Sequence, residues 1–247
     1  CEVCDLKCAR YIEYVMDKEG DVAAVIAEPI RCTAVNPPPQ GYWKQVRETC
    51  DRHGALLIFD ETAVCLGRTG RMFAFQHEGV VPDILILGKG LGGGVFPLAA
   101  IVARSDLDVA PEKALGHYTH EKNPVACAAA SATIDVILAE GLAGRSARLG
   151  LHALERLSSL KQSVDCIGDV RGRGLLFGVD LVLNRDEKTP AIDEADRIMY
   201  ACLEMGLSFK VSHGSFLTLT PPLTIEEAEL DAALTILEKA FKNLLTT

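Results

Sequence analysis

Two residues of complementary type stand at matching places in this chain. Asp60 closes the apolar run Ala55-Leu56-Leu57-Ile58-Phe59, and Lys89 closes the run Ile84-Leu85-Ile86-Leu87-Gly88. Lys89 follows Asp60 by 29 residues. Short apolar runs bounded by turn residues read as strands covered on both faces, the habit of a parallel sheet. Ligands of such sheets bind beyond the carboxyl ends of the strands. A carboxylate and an amine placed there suit a cofactor that needs a covalent amine anchor and an acidic partner for a ring nitrogen. Pyridoxal phosphate has both requirements.

The elements that must hold this pair follow from the pattern. A helix is expected over 6–18, a strand over 22–27 ending at Glu28-Pro29, and a helix from Tyr42 to His53 closed by Gly54. Pro37-Pro38-Pro39 cannot be helix interior. The Asp60 strand follows, then a loop with Gly67-Arg68-Thr69-Gly70-Arg71, the Lys89 strand, a flexible glycine turn, and a strand over 97–102. This is the alternation of a layered α/β sheet. Asn123-Pro124 opens an alanine-rich helix to about residue 140. The order then changes to α+β. A helix near 145–160, a strand over 175–183, a helix near 192–205, a short strand near 216–219 and a helix over 225–245 are expected. Residues 1–140 therefore read as part of a large domain with a mostly parallel sheet, and 141–247 as a smaller α+β domain.

Composition narrows the partners. The chain has 247 residues, 49% of them hydrophobic, and a net charge of −9. That charge argues against nucleic acid and anionic membranes. No apolar stretch has the length of a membrane span, so a cytoplasmic protein is expected. Six of the nine cysteines are scattered singly, as small reduced core residues. Cys1, Cys4 and Cys8 cluster, but no further ligand follows at zinc spacing, so no metal is expected. The sequence opens on Cys-Glu-Val-Cys rather than Met, and a fragment of a longer chain is expected.

The motifs resemble one family. Ile58-Phe59-Asp60-Glu61, Gly67-Arg68-Thr69-Gly70-Arg71 and the block from Pro82-Asp83 to Gly88-Lys89-Gly90-Leu91-Gly92-Gly93-Gly94 are similar to the signature of class III aminotransferases, the ornithine and 4-aminobutyrate type. Ala27-Glu28-Pro29-Ile30, Asn123-Pro124-Val125, Val170-Arg171-Gly172-Arg173-Gly174 and Pro221-Pro222-Leu223-Thr224 resemble its further landmarks. The resemblance implies fold type I, a homodimer, pyridoxal phosphate and small-molecule amino donors and acceptors. Lys89 would carry the cofactor as an imine and shuttle a proton at the substrate, and Asp60 would pair with the ring nitrogen. Ala63 would lie by the phenolic oxygen, where a Gln or His is frequent. Thr119 would reach the cofactor phosphate of the neighbouring subunit, and Glu28 would lie beside the site. The resemblance also implies a Gly-Ser/Thr phosphate loop and a ring-stacking aromatic upstream of Glu28. Neither stands in these residues, so an incomplete cofactor site is expected.

Two further departures concern substrate choice. Where 4-aminobutyrate-type members place a carboxylate-clamping Arg, this chain has Thr218. Where they place the Glu that pairs with it, it has Thr33. Losing both together is coherent, because one charge left alone in a buried pocket is costly. The expected reaction is amino-group transfer to a 2-oxo acid or aldehyde. Racemisation, or ammonia loss from a phosphorylated or phosphonate amine, starts at the same carbon and stays open. So does a non-catalytic dimerisation module. A nicotinamide oxidoreductase is disfavoured, since Gly90 to Gly94 does not fit G-x-G-x-x-G. His117 and His120 read as part of a polar loop rather than as ligands. Arg171 and Arg173 read as turn residues, Trp43 as packing, and the stripe Leu230, Leu234, Leu237, Phe241 as core-facing.

Overall fold

A four-stranded sheet carries the Asp60 and Lys89 runs. It was described in a computed structural model covering residues 4–113 and 118–245. Its strands are β1 (Ala24–Ala27), β2 (Leu56–Asp60), β3 (Ile84–Leu87) and β4 (Ala100–Ala103), in that spatial order. The first three are parallel and β4 is antiparallel to β3. Alternation within the runs decides which face is covered. Leu57, Phe59, Leu85 and Leu87 are buried, whereas Leu56, Ile58, Ile84 and Ile86 are half-buried. Full cover on both faces was expected, but the described residues cover only one completely.

Helix α1 (Lys7–Glu19) packs on α2 (Tyr42–His53), and α2 packs on β2. Trp43 of α2 is a packing residue, as expected. Its ring meets Phe59 edge-on at 4.7 Å, and its indole N–H donates to the Pro29 carbonyl at 2.9 Å. Asp83 fastens this layer. Buried at the start of β3, it accepts from the Leu57 N–H and the Arg47 guanidinium, each at 2.7 Å, and pairs with Arg104 at 2.7 Å. Burial raises its pKa, but the Leu57 bond and the two arginines outweigh that and hold it below the ordinary carboxylate value. Helix α3 (Pro124–Ala139) starts where Asn123 caps the N–H groups of Val125 and Ala126.

The chain divides into two compact units. The one just described comprises 1–30, 38–66 and 71–140. The other comprises 31–37, 67–70 and 141–247. The second is built on an antiparallel sheet of β5 (Ile167–Arg173), β6 (Leu176–Asn184), β8 (Lys210–Ser212) and β9 (Phe216–Leu219), ordered β5-β6-β9-β8. A short β7 (Thr189–Pro190) pairs with β6. Phe177, Val179, Leu181 and Leu217 enter one core with helices α4 (Leu142–Ser163), α5 (Ile192–Glu204) and α6 (Glu227–Leu245). Leu230, Leu234, Leu237 and Phe241 of α6 join that core as expected.

Residues 67–70 are locked into this second unit. The Arg68 guanidinium donates to the Leu175 carbonyl at 3.0 Å and also to that of Pro221. The Ser146 hydroxyl donates to the Arg68 carbonyl at 2.9 Å. Gly174 meets this segment closely at φ +59°, and a Cβ there would come within 2.5 Å of the Thr69 backbone. Arg171 and Arg173 do not form a turn; both lie in β5, because Gly172 lets the strand pass tightly over Phe177. Among the described residues no single helix is long and apolar enough to cross a membrane.

Candidate active site

Asp60 and Lys89 lie at the carboxyl ends of adjacent parallel strands. Asp60 is the last residue of β2 and pairs in register with Ile86, and Lys89 follows β3 by two residues. The parallel pairing of β2 and β3 makes both runs end at the same edge of the sheet. Past that edge each strand turns at once. Residues after Asp60 enter a run of turns, and Lys89 opens a 3-10 turn, Lys89–Gly92.

Asp60 is half-buried and partly satisfied. Its Oδ1 accepts from the Thr62 N–H at 3.0 Å and from the Thr62 hydroxyl. That fixes the carboxylate plane and leaves Oδ2 to accept one more proton. Lys89 is exposed and makes no hydrogen bond or ion pair among the described residues. Its backbone has φ +46°, the left-handed region where a side chain is strained. Gly88 brings the two turns together: a Cβ there would come within 2.8 Å of Thr62 Cγ2. A fixed acid and a primary amine at the same edge of the sheet are the donor set that a cationic ring and an aldehyde require. The residues present fit the group.

Glu61, next to Asp60, was not singled out by its sequence position. It is fully buried, and its two oxygens accept the N–H groups of Ala74 and Phe75, each at 2.7 Å. Burial pushes its pKa up to about 7, against a smaller lowering by those two bonds. An acidic residue inside an otherwise apolar turn was the available signal. Glu61 anchors residues 73–77 under the turn that follows Asp60.

The remaining candidates are placed as follows. Ala63 is half-buried in the turn after Asp60. Glu28 is exposed just past the end of β1. Thr119 is exposed in a turn before α3. Thr33 and Thr218 belong to the second unit and touch: the Thr218 hydroxyl donates to the Thr33 carbonyl at 3.1 Å. Cys1 and His117 lie outside the described residues. Among the described residues no group of His, Cys, Asp and Glu could hold a metal ion, and Cys4 and Cys8 are free thiols.

Residues 2–241 match the family described as aminotransferase class-III. The chain is 47% identical over 237 residues to an (R)-1-hydroxy-2-aminoethylphosphonate ammonia-lyase of Vibrio splendidus, covering 96% of this chain and 50% of that one. It is 43% identical to a leucine/methionine racemase of Thermococcus litoralis, covering 98% of this chain and 55% of the other. It is 40% identical to ornithine aminotransferase 1 of Staphylococcus aureus, covering 90% and 54%. An amine transaminase from an uncultivated Pseudomonas species, solved with PLP bound, superposes with a TM-score of 0.91 at 36% identity, covering 96% and 56%. The chain belongs to the class III aminotransferase family, whose members bind pyridoxal phosphate and share this fold. It spans about half the length of the curated relatives it matches.

Proposed function

We propose that this chain carries the lysine and the acid of a pyridoxal phosphate site, and that the protein removes ammonia from a small amine. The placement of Asp60 and Lys89 at one edge of two parallel strands carries the reading. When bound, the cofactor supplies an aldehyde for amines and a ring that withdraws electrons. Lys89 is the covalent holder. Its amine, when free, would move the proton at the substrate Cα. Asp60, with its Oδ1 fixed by Thr62, would hold the proton on the ring nitrogen. Ala63 offers no polar group, which leaves the ring chemistry to Asp60. In a homodimer, Thr119 would donate its hydroxyl to the phosphate held by the partner subunit. Glu28 borders the site at the end of β1.

Lys89 and Asp60 serve elimination, racemisation and amino transfer alike. Elimination is favoured by two observations. Thr33 and Thr218 are uncharged where a carboxylate clamp would stand, and the lyase relative is 47% identical over almost the whole chain. Amino transfer, the reaction of the ornithine relative, is the second reading.

The test adds (R)-1-hydroxy-2-aminoethylphosphonate without an oxo acceptor. Elimination releases ammonia over many turnovers. Amino transfer stops after one, with the cofactor converted to its amine form. Neither result, with Lys89 unmodified, overturns the proposal and supports a non-catalytic module.

A further inference from the structure

Glu61 is fully buried next to Asp60, and the chemistry proposed above does not use it. Burial pushes its pKa up to about 7, against a smaller lowering by the N–H groups of Ala74 and Phe75. Packing alone would be served as well by an apolar side chain of similar size. An acid kept there at the expense of stability points to something that the acid holds.

Each polar group of Glu61 is bonded, and the bonds reach different pieces of the candidate site. Its N–H donates to the Ile86 carbonyl at 3.0 Å and fastens it to β3. Its carbonyl accepts from the Val64 and Cys65 N–H groups, each at 3.0 Å, and closes the turn over 61–65. Its carboxylate oxygens accept from Ala74 and Phe75, each at 2.7 Å. The segment they hold is itself braced. The rings of Phe73 and Phe75 stack 5.6 Å apart, and the Gln76 side chain accepts from the Phe73 N–H at 3.0 Å.

The turn over 61–65 carries Thr62, whose N–H, at 3.0 Å, and hydroxyl both donate to Asp60 Oδ1. It also carries Cys65, a buried thiol beside the strand that leads to Lys89. Burial pushes the Cys65 pKa up to about 11, against a lowering by the N–H of Gly88. One turn therefore meets both candidate residues, and Glu61 ties that turn to its base.

We propose that Glu61 is a positioning residue for Asp60: its carboxylate joins the turn over 61–65 to the segment 73–75, and so keeps Thr62 on Asp60 Oδ1. The inference rests on the role given to Asp60 above. Glu61 acts through Thr62 and touches neither cofactor nor substrate. Two N–H groups converge on two oxygens, and only a carboxylate offers acceptors at both places. A Gln would turn an amide N–H toward one of those donors, and the turn would have to shift.

The experiment reads the Asp60–Thr62 bond in the 247-residue chain without cofactor, at pH 8, above the Glu61 value. Two quantities are measured: the scalar coupling across the bond, from the Thr62 nitrogen to the Asp60 carboxyl carbon, and the exchange protection of the Thr62 N–H. The variants are Glu61→Gln and Ala74→Pro. The second removes one donor from far along the chain, and the extended backbone of Phe73 (φ −127°, ψ 145°) suits a residue before proline. The Leu57 N–H, bonded to Asp83, is the control.

Both variants are expected to lose the coupling and to lower Thr62 protection about tenfold, with Leu57 unchanged. An intact Thr62 bond in Glu61→Gln overturns the inference and leaves Glu61 as an anchor for 73–77 alone. Equal loss at Leu57 and Thr62 in Glu61→Gln overturns it as well, because that is general loosening. Loss in Glu61→Gln with a normal Thr62 bond in Ala74→Pro also overturns it, because the effect then bypasses the carboxylate contact. Should Ala74→Pro loosen Leu57 too, Glu61→Gln decides alone. No reading here involves the cofactor, so a failure leaves the role of Lys89 standing, and a failure at Lys89 leaves these bonds as measured.

Discussion

Thr218 and Thr33 are separated by 185 positions, yet the hydroxyl of one donates to the carbonyl of the other at 3.1 Å. The two positions where the family resemblance implies an arginine and a glutamate therefore sit together, and here both are neutral. Thr218 is buried, so a charge introduced there needs a partner. Thr218→Arg should lower the stability of the chain by about 3 kcal/mol. Adding Thr33→Glu should recover part of it, with a coupling of about 1–2 kcal/mol in a double-mutant cycle. Denaturant unfolding of the four proteins measures this, and additive losses would show that the positions do not communicate.

Asp83 makes a prediction with a pH signature. Its carboxylate is held below the ordinary value in the fold. The stability it contributes is therefore present above the unfolded value, near pH 4, and is lost as pH falls through the folded value. Asp83→Asn should cost about 2–3 kcal/mol at neutral pH. The gap between parent and variant should close on acidification. Urea melts at several pH values check it; a gap independent of pH would contradict the assignment.

Glu61 carries the opposite sign. Burial raises its pKa from 4.5 to about 7. Between those values the folded chain binds more protons than the unfolded one, so stability falls as pH rises across that window. The parent should lose about 3 kcal/mol relative to Glu61→Gln over it. Paired melts at the two ends of the window measure the difference.

Lys89 has a strained backbone, with φ +46°. Asn tolerates its left-handed backbone better than Lys does. Lys89→Asn should be more stable than the parent by about 0.5 kcal/mol while losing all cofactor attachment. Thermal melts and the absorbance of the bound cofactor read the two effects separately.

The Asp60 and Lys89 strands were legible because each apolar run ends abruptly at a polar residue. Their parallel pairing was expected from the continuous apolar character of the two runs. The antiparallel direction of β4 was not, since strand direction leaves no mark on local hydrophobicity. Strand β5 was read as a turn because Val170-Arg171-Gly172-Arg173-Gly174 combines glycines with charges. The structure gives the reason for that composition: Gly172 admits Phe177 and Arg171 answers two aspartates. Strand β8, three residues long, is too short to show a period. Glu61 sat inside a recognised motif, but only its burial reveals what it holds.

Covalent capture at Lys89 tests the central claim most directly. The protein is saturated with pyridoxal phosphate, reduced with borohydride and digested with trypsin. A pyridoxyl group on Lys89 blocks cleavage there, so the mark should appear in a peptide spanning residues 72–104. A mark on any other lysine, or none while cleavage at Lys89 proceeds normally, would contradict the account.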